Sequence, residues 1–355
     1  MAVMSVWFSG RNAHASLHND RVWCVWLKAW RLDGKTQRCR PQKQRNQPGM
    51  TDYAIYDVFT GTALAGNPLA VVFDADHYSD AQMQAIAREF NLSETVFALK
   101  PENSVHTARL RIFTPGRELP FAGHPTVGAA VALADRRLGG DVPGNGMDMV
   151  KMLEEPIGPV RCAVRIKADE PGFAEFDLPR LSRRLDVDIE QADIGAALGL
   201  DPHEIGFENH RVSLWTAGVP FVMVPVHDQA AVAKAECSAA DWDKVAPMGD
   251  GQLAQAYVYC RGGTHHLASF HARMFAPGEG IAEDPATGSA AAALSGAIHH
   301  FDGLLEGNHP LMIEQGVEMG RASLIHLHID CAGSEVSHVR IGGEAVRIAE
   351  GRLLV

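Results

Sequence analysis

Three ionisable side chains stand where proton chemistry could be done: Glu94, His124 and Asp284. Glu94 lies in the polar run Asn91-Leu92-Ser93-Glu94-Thr95, directly ahead of the apolar run Val96-Phe97-Ala98-Leu99. A carboxyl at that position can be partly desolvated where the chain enters a buried strand. Burial raises a carboxyl pKa and makes it a usable proton shuttle near neutral pH. Spacing alone favours a solvated turn glutamate, with Ser93 or Thr95 making local backbone bonds. His124 and Asp284 each open an X-Pro-x-x-Gly run, His124-Pro125-Thr126-Val127-Gly128 and Asp284-Pro285-Ala286-Thr287-Gly288, followed by small residues that read as a helix. At a helix start the backbone N–H groups are unpaired and the dipole favours anions. Taken singly neither run is distinctive, since aspartate is a common N-cap.

The two runs belong to two copies of one longer stretch. Arg111-Ile112-Phe113-Thr114-Pro115-Gly116 leads to the first, and Arg273-Met274-Phe275-Ala276-Pro277-Gly278 leads to the second. Each copy reads as strand, Pro-Gly turn, loop and small-residue helix. Two related halves therefore present helix N-termini to a shared cleft, which would hold a carboxylate or a developing enolate-like charge. Only two copies exist, so this is a duplicated domain rather than a solenoid. The halves divide near Leu181 to Gln191, giving residues 51–183 and 184–355.

The elements that would position these residues are mostly strands. Tyr53–Phe59, Leu69–Phe73, Val96–Leu99, His106–Phe113, Val160–Ile166 and Ala174–Leu178 have strand character in the first half. Met83, Ile86, Ala87 and Phe90 share one helical face behind Ser79, a plausible N-cap. Gly218–Val224, Gln255–Cys260, His266–Phe275, Ala322–Ile329, Val339–Ile341 and Ala345–Ile348 are the strands of the second half, the last two ending in a hairpin with a glycine turn. Thr126–Ala134 and Ser289–Ile298 are apolar or small on every side, so each must be buried all round. Among so many strands, that suggests a sheet curled around a central helix.

Composition narrows the function. The chain has 355 residues, enough for two domains, and a net charge of -11, which argues against general nucleic-acid binding. No apolar run reaches the length of a membrane span. The six cysteines are scattered and read as reduced thiols of a cytoplasmic protein. The pairs His265-His266, His299-His300 and His326-x-His328 lack a third ligand at metal spacing, so no metal is expected. Gly139–Gly146 lacks nucleotide-binding spacing, and Gly288-Ser289 lacks the frame of a hydrolase elbow. The first fifty residues differ from the rest: they hold nine Lys or Arg against two acids, and four of the six Trp. Their composition suits disorder, and the plain reading is an extension ahead of a working start at Met50.

Asp57-Val58-Phe59-Thr60, Gly66-Asn67-Pro68-Leu69-Ala70-Val71-Val72, Asn91-Leu92-Ser93-Glu94-Thr95, Phe121-Ala122-Gly123-His124-Pro125-Thr126 and Glu283-Asp284-Pro285-Ala286-Thr287-Gly288-Ser289-Ala290 resemble the PhzF (phenazine biosynthesis) family. The resemblance runs from Tyr53 to Val355. It implies an α+β fold like that of diaminopimelate epimerase: two similar domains, each a β-barrel wrapped around a central helix, with the site between them. It implies a cofactor- and metal-free isomerase, a homodimer, acting on a small carboxylate such as trans-2,3-dihydro-3-hydroxyanthranilate. Glu94 would be the acid/base, with His124, Asp284 and Ser289 assisting. Gly123, Gly288, Thr287 and Asn67 would bind substrate, the glycines through backbone donors. The related epimerases use two cysteines near these helix starts, and neither motif here contains one. An epimerase or lyase on a small amino or hydroxy acid, or a non-catalytic binding protein, is the alternative.

Overall fold

A computed structural model describes residues 50–355, and the expectations for the basic leader lie outside the described residues. The first half contributes β1 (Thr51–Val58), β2 (Asn67–Val72), α1 (Asp80–Phe90), β3 (Glu94–Leu99), β4 (Ala108–Phe113), β5 (Glu118–Leu119), α2 (Gly123–Leu138), β6 (Met147–Glu155), β7 (Gly158–Ile166) and β8 (Gly172–Asp177). β1–β2 and β3–β4 are antiparallel, β2–β3 and β4–β6 parallel, and β6, β7 and β8 follow as an antiparallel meander.

The second half repeats the order. After β9 (Arg183–Leu185) and α3 (Gln191–Ala197) come β10 (Ser213–Thr216), β11 (Pro220–Pro225), α4 (Gln229–Lys234), α5 (Ala239–Val245) and a small hairpin of β12 (Met248–Gly249) and β13 (Gln252–Leu253). Then follow β14 (Gln255–Arg261), β15 (Phe270–Ala276), β16 (Ile281–Asp284), α6 (Gly288–Asp302), β17 (Gly307–Gln315), β18 (Ser323–Ala332) and β19 (Glu335–Leu353). β10–β11 and β14–β15 are antiparallel, β11–β14 and β15–β17 parallel, as in the first half.

β19 joins the halves. It starts against β18, continues along β8 and ends against β1. That last pairing closes β1, β2, β3, β4, β6, β7, β8 and β19 into an eight-stranded barrel. β9 makes the reciprocal move, following β8 in sequence but pairing with β10. A division at residue 183 therefore assigns to the second half the strand that closes the first barrel.

The glycine-turn hairpin expected at the C-terminus is absent, because Gly342 and Gly343 lie inside the continuous strand β19. They are there for close approach, not for a turn. A Cβ on Gly343 would meet Phe59 Cδ1 at 2.5 Å, and one on Gly342 would meet Glu175 Cβ at 2.6 Å.

The two central helices are buried as their composition requires. α2 packs on β1, β2, β3, β6, β7, β8 and β19, and α6 on β9, β10, β11, β18 and β19. Small residues allow this contact: a Cβ at Gly128 would meet Leu69 Cδ2 at 2.5 Å, and one at Gly296 would meet the Trp215 ring at 2.7 Å. α1 lies outside the barrel, capped by Ser79 and Gln82 in a reciprocal capping box, and buries Met83, Ile86 and Ala87.

The helix starts also correct the register of the repeat. α2 begins at Gly123 and α6 at Gly288, so Gly123 matches Gly288 and His124 matches Ser289. His124 and Pro125 lie within the first turn of α2, whereas Asp284 ends β16 and Pro285 precedes α6. Proline is tolerated both in the first helical turn and in extended chain, so an X-Pro dipeptide does not fix where a helix begins.

Gly343→Ala should destabilise the fold by roughly 1–3 kcal/mol, because the Phe59 ring and backbone both oppose the added methyl. Urea unfolding measures it; a midpoint equal to that of the wild type would show the crossing to be looser than described.

Candidate active site

The N-termini of α2 and α6 meet at their glycines. A Cβ on Gly123 would lie 2.9 Å from Gly288 Cα, and one on Gly288 would lie 3.1 Å from Gly123 Cα. Neither start is capped by a side chain. Ala122 has no acceptor to offer, and the Thr287 hydroxyl donates to Asp284 Oδ2 at 2.5 Å. The first N–H groups of both helices therefore stay available, with two dipoles converging on one place.

Beside this junction lies a cleft of about 290 Å³, lined by Glu94, His124, Asp284, Thr287, Ser289 and the two glycines. A larger and more open hollow, about 830 Å³, lies near Gly61, Asp135 and Lys167 and contains none of these residues. Glu94, the first residue of β3, is 13% exposed, and its Oε2 lies 3.4 Å from His124 Nδ1. Glu94 Oε2 and His124 Nε2 are buried without a hydrogen-bond partner among the described residues. Asp284, by contrast, is well supplied. Thr287 Oγ1, Asn67 Nδ2 at 2.9 Å and Ser93 Oγ at 3.4 Å donate to its carboxylate.

These surroundings set the protonation states. Burial pushes the Glu94 carboxyl well above its ordinary range, and the negative charge of Asp284 pushes it further. Burial also raises Asp284, to about 6, but the donations from Thr287, Asn67 and Ser93 pull the other way. Of the two acids, Glu94 thus holds the proton more firmly. Burial depresses His124 to about 3, the Pro68 carbonyl opposing, so its imidazole is neutral at physiological pH.

Asn67 is not on the cleft wall, where the resemblance would place a substrate contact. It is fully buried behind it and also donates to Ala286 O at 3.0 Å, while its Nδ2 lies 3.3 Å from His124 Nδ1. It positions the two ionisable groups relative to each other. Its own loop is clamped from the other half: Arg321 donates to the carbonyls of Ala65 and Gly66 and to Asp57 Oδ1, each at 2.7 Å. The hydroxyl of Thr287 is likewise occupied by Asp284 and by Gln315, whose Nε2 donates to it at 3.0 Å and to Asp284 O at 2.7 Å. Nothing local in the sequence marks Gln315 or Arg321; parallel pairing of β15 with β17 and the following loop bring them in.

A further buried acid lies under the start of α2. Thr126 Oγ1 donates to Ala122 O at 2.8 Å and is also 2.8 Å from Glu155 Oε1. One hydroxyl has one hydrogen, so both contacts are satisfied together when Glu155 is protonated and donates. Burial agrees, raising the Glu155 carboxyl to about 8 against the smaller opposing effect of Thr126.

Twin curled sheets around paired helix N-termini, with ionisable groups gathered at the seam, define the diaminopimelate epimerase-like class. Within it, residues 56–351 match the family model described as phenazine biosynthesis-like protein (PhzC–PhzF), and the chain belongs to that family. It is 53% identical over 305 residues to an uncharacterized isomerase of Mesorhizobium japonicum, covering 86% of this chain and 99% of the relative. It is 36% identical to the trans-2,3-dihydro-3-hydroxyanthranilate isomerase of Pseudomonas aeruginosa, covering 85% and 99%. The crystal structure of a PhzF-family phenazine biosynthesis protein from Bacillus anthracis has the same fold, with a TM-score of 0.75 at 23% identity over 86% of this chain and 99% of that one. The chain is an isomerase of this family.

Glu155 gives a pH test. Its folded value of about 8 lies above the ordinary 4.5, so between these values the unfolded chain releases a proton that the folded one keeps. Stability from this group is therefore lost as pH rises through that window. Glu155→Gln should stabilise the protein by roughly 3 kcal/mol near pH 7, with the difference vanishing near pH 4. Melting temperatures across pH decide; a pH-independent difference would show that Glu155 does not carry the proton.

Proposed function

We propose that this chain is a cofactor-independent isomerase that moves a proton between two carbons of a small unsaturated carboxylate. The supporting observation is that two cleft-lining residues each hold a buried atom without a partner among the described residues, Glu94 Oε2 and His124 Nε2. A substrate would satisfy both. Its carboxylate would rest on the open N–H groups at Gly123 and Gly288, near Ser289. The small ionised fraction of Glu94 is a strong base, and the acid it becomes returns the proton to a second carbon. Charge released during the transfer spreads into the carboxylate, where both helix dipoles oppose it. Neutral His124 donates to or accepts from the substrate without adding charge. Asp284 keeps Glu94 basic.

The repeat supports one base rather than two. Glu94 pairs with Leu69 at the start of β3, and the matching pair in the second half is Gln255 with Phe221. Gln255 lines the cleft and cannot shuttle protons. The free cysteines Cys162, Cys237, Cys260 and Cys331 are not on the cleft wall, which argues against a two-thiol epimerase. The same reading makes the enzyme a cytoplasmic homodimer, supported by those unpaired thiols for the compartment and by the family for the assembly. Among the described residues no helix is long and apolar enough to cross a membrane.

The experiment is solvent deuterium exchange followed by NMR, with trans-2,3-dihydro-3-hydroxyanthranilate and a panel of small unsaturated carboxylates. Deuterium should enter at carbon with the wild type and fall roughly 100- to 10,000-fold in Glu94→Gln. Exchange undiminished in that variant rules the assignment out. Asp284→Asn should move the pH at which activity rises toward acid, because the charge that raises Glu94 is gone. An unmoved profile would separate Asp284 from the proton transfer.

A further inference from the structure

The cleft wall holds two cations, Arg117 and Arg180. Arg117 is engaged: its Nη2 donates to Glu279 Oε1 at 2.9 Å, a pair that joins the loop before α2 to the loop after β15. Arg180 has no hydrogen-bond or ion-pair partner among the described residues. It is exposed, but its segment is pinned on both sides. Leu178 N donates to Val339 O at 2.9 Å, and Ser182 Oγ donates to Ala293 O of α6 at 2.7 Å. Arg180 is thus set on the cleft wall by a fixed stretch of chain.

Arg180 does not serve the reacting acids. Besides burial, the charge acting on Glu94 is that of Asp284, and Asp284 takes its support from Thr287, Asn67 and Ser93. Arg180 makes neither a hydrogen bond nor an ion pair with Glu94 or Asp284. The helix N-termini already receive one carboxylate under the function proposed above. A second receptor for negative charge on the same cleft wall, unpaired with the proton shuttle and without a partner among the described residues, is matched to a second anionic group on the ligand.

We propose that the substrate is a small dianion: one carboxylate on the helix N-termini beside Glu94, and a second carboxylate or comparable anionic group held by Arg180. This inference rests on the proton-transfer reading and narrows its substrate class.

The test uses the full chain and isothermal titration with matched pairs, crotonate against fumarate and benzoate against phthalate. The wild type should bind the dicarboxylate roughly ten- to a hundredfold more tightly, the worth of one charge-assisted contact. Arg180→Gln should remove that difference while leaving the monocarboxylate Kd unchanged, and Arg180→Lys should keep part of it. Titrations at moderate and high salt separate a seated ion pair from general attraction, which screening weakens. Equal loss for both members of a pair would place the single carboxylate on Arg180 and overturn the proposal. So would the absence of a dicarboxylate preference in the wild type. Failure of the proton-transfer reading shows in deuterium exchange with Glu94→Gln, and failure of this one in the Arg180 titrations.

Discussion

The contact between Gly123 and Gly288 is the constraint on which the rest depends. Two helix N-termini can touch only where neither carries a side chain. The contact forces each helix through the middle of its half, and a helix so placed needs small or apolar residues on every face. It also requires sheets that wrap rather than lie flat, because two N-termini meeting end to end leave each helix flank to be covered by its own strands. β19 supplies the tie: one strand pairs with β18, β8 and β1 in turn, so the halves cannot drift apart without breaking a continuous ladder. The ionisable groups Glu94, His124 and Asp284 then come from both halves onto one seam.

That seam gathers three ionisable side chains out of water, and their unequal supply of partners decides their chemistry. Asp284 receives three donors, while Glu94 Oε2 receives none among the described residues. Burial alone would raise both acids. The donors lower one of them, and its charge then raises the other. The scaffold keeps the proton on the group that faces open space. Asn67, Thr287 and Gln315 hold this imbalance by fixing Asp284. Arg321, clamping the loop before Asn67, makes the arrangement depend on both halves at once.

Much of this was legible in the sequence, for identifiable reasons. Thr126–Ala134 and Ser289–Ile298 announce buried helices because no polar face exists to meet solvent. Glu94, His124 and Asp284 lie in short runs whose neighbours set local structure. What was misread depended on partners far along the chain. Gly342 and Gly343 look like a turn until the rings and strands that crowd them are known. Asp284-Pro285 looks like a helix start until β16 pairs with β15. Gln315 and Arg321 reach the site through parallel pairing and a loop, which leave no trace at short range. Glu155 ends an alternating strand, and only its contact with Thr126 marks it as a proton carrier.

The duplication explains why the site is usable at all. Strict symmetry would place the same group on both sides of the junction, and two like acids facing one small cleft would share a proton and oppose a bound carboxylate. The halves avoid this at each position. Glu94 corresponds to Gln255 and His124 to Ser289. Asp284, opposite Met274 on β15, corresponds to Leu119, opposite Ile112 on β4. Each pair retains the backbone geometry while one member gives up its ionisable group. The glycines remain identical, and each leaves the first N–H groups of its helix open. Symmetry is kept where the backbone presents N–H groups and broken where ionisable side chains stand, and under the proposed function that division would let a duplicated fold hold a carboxylate from two sides while acting on it from one.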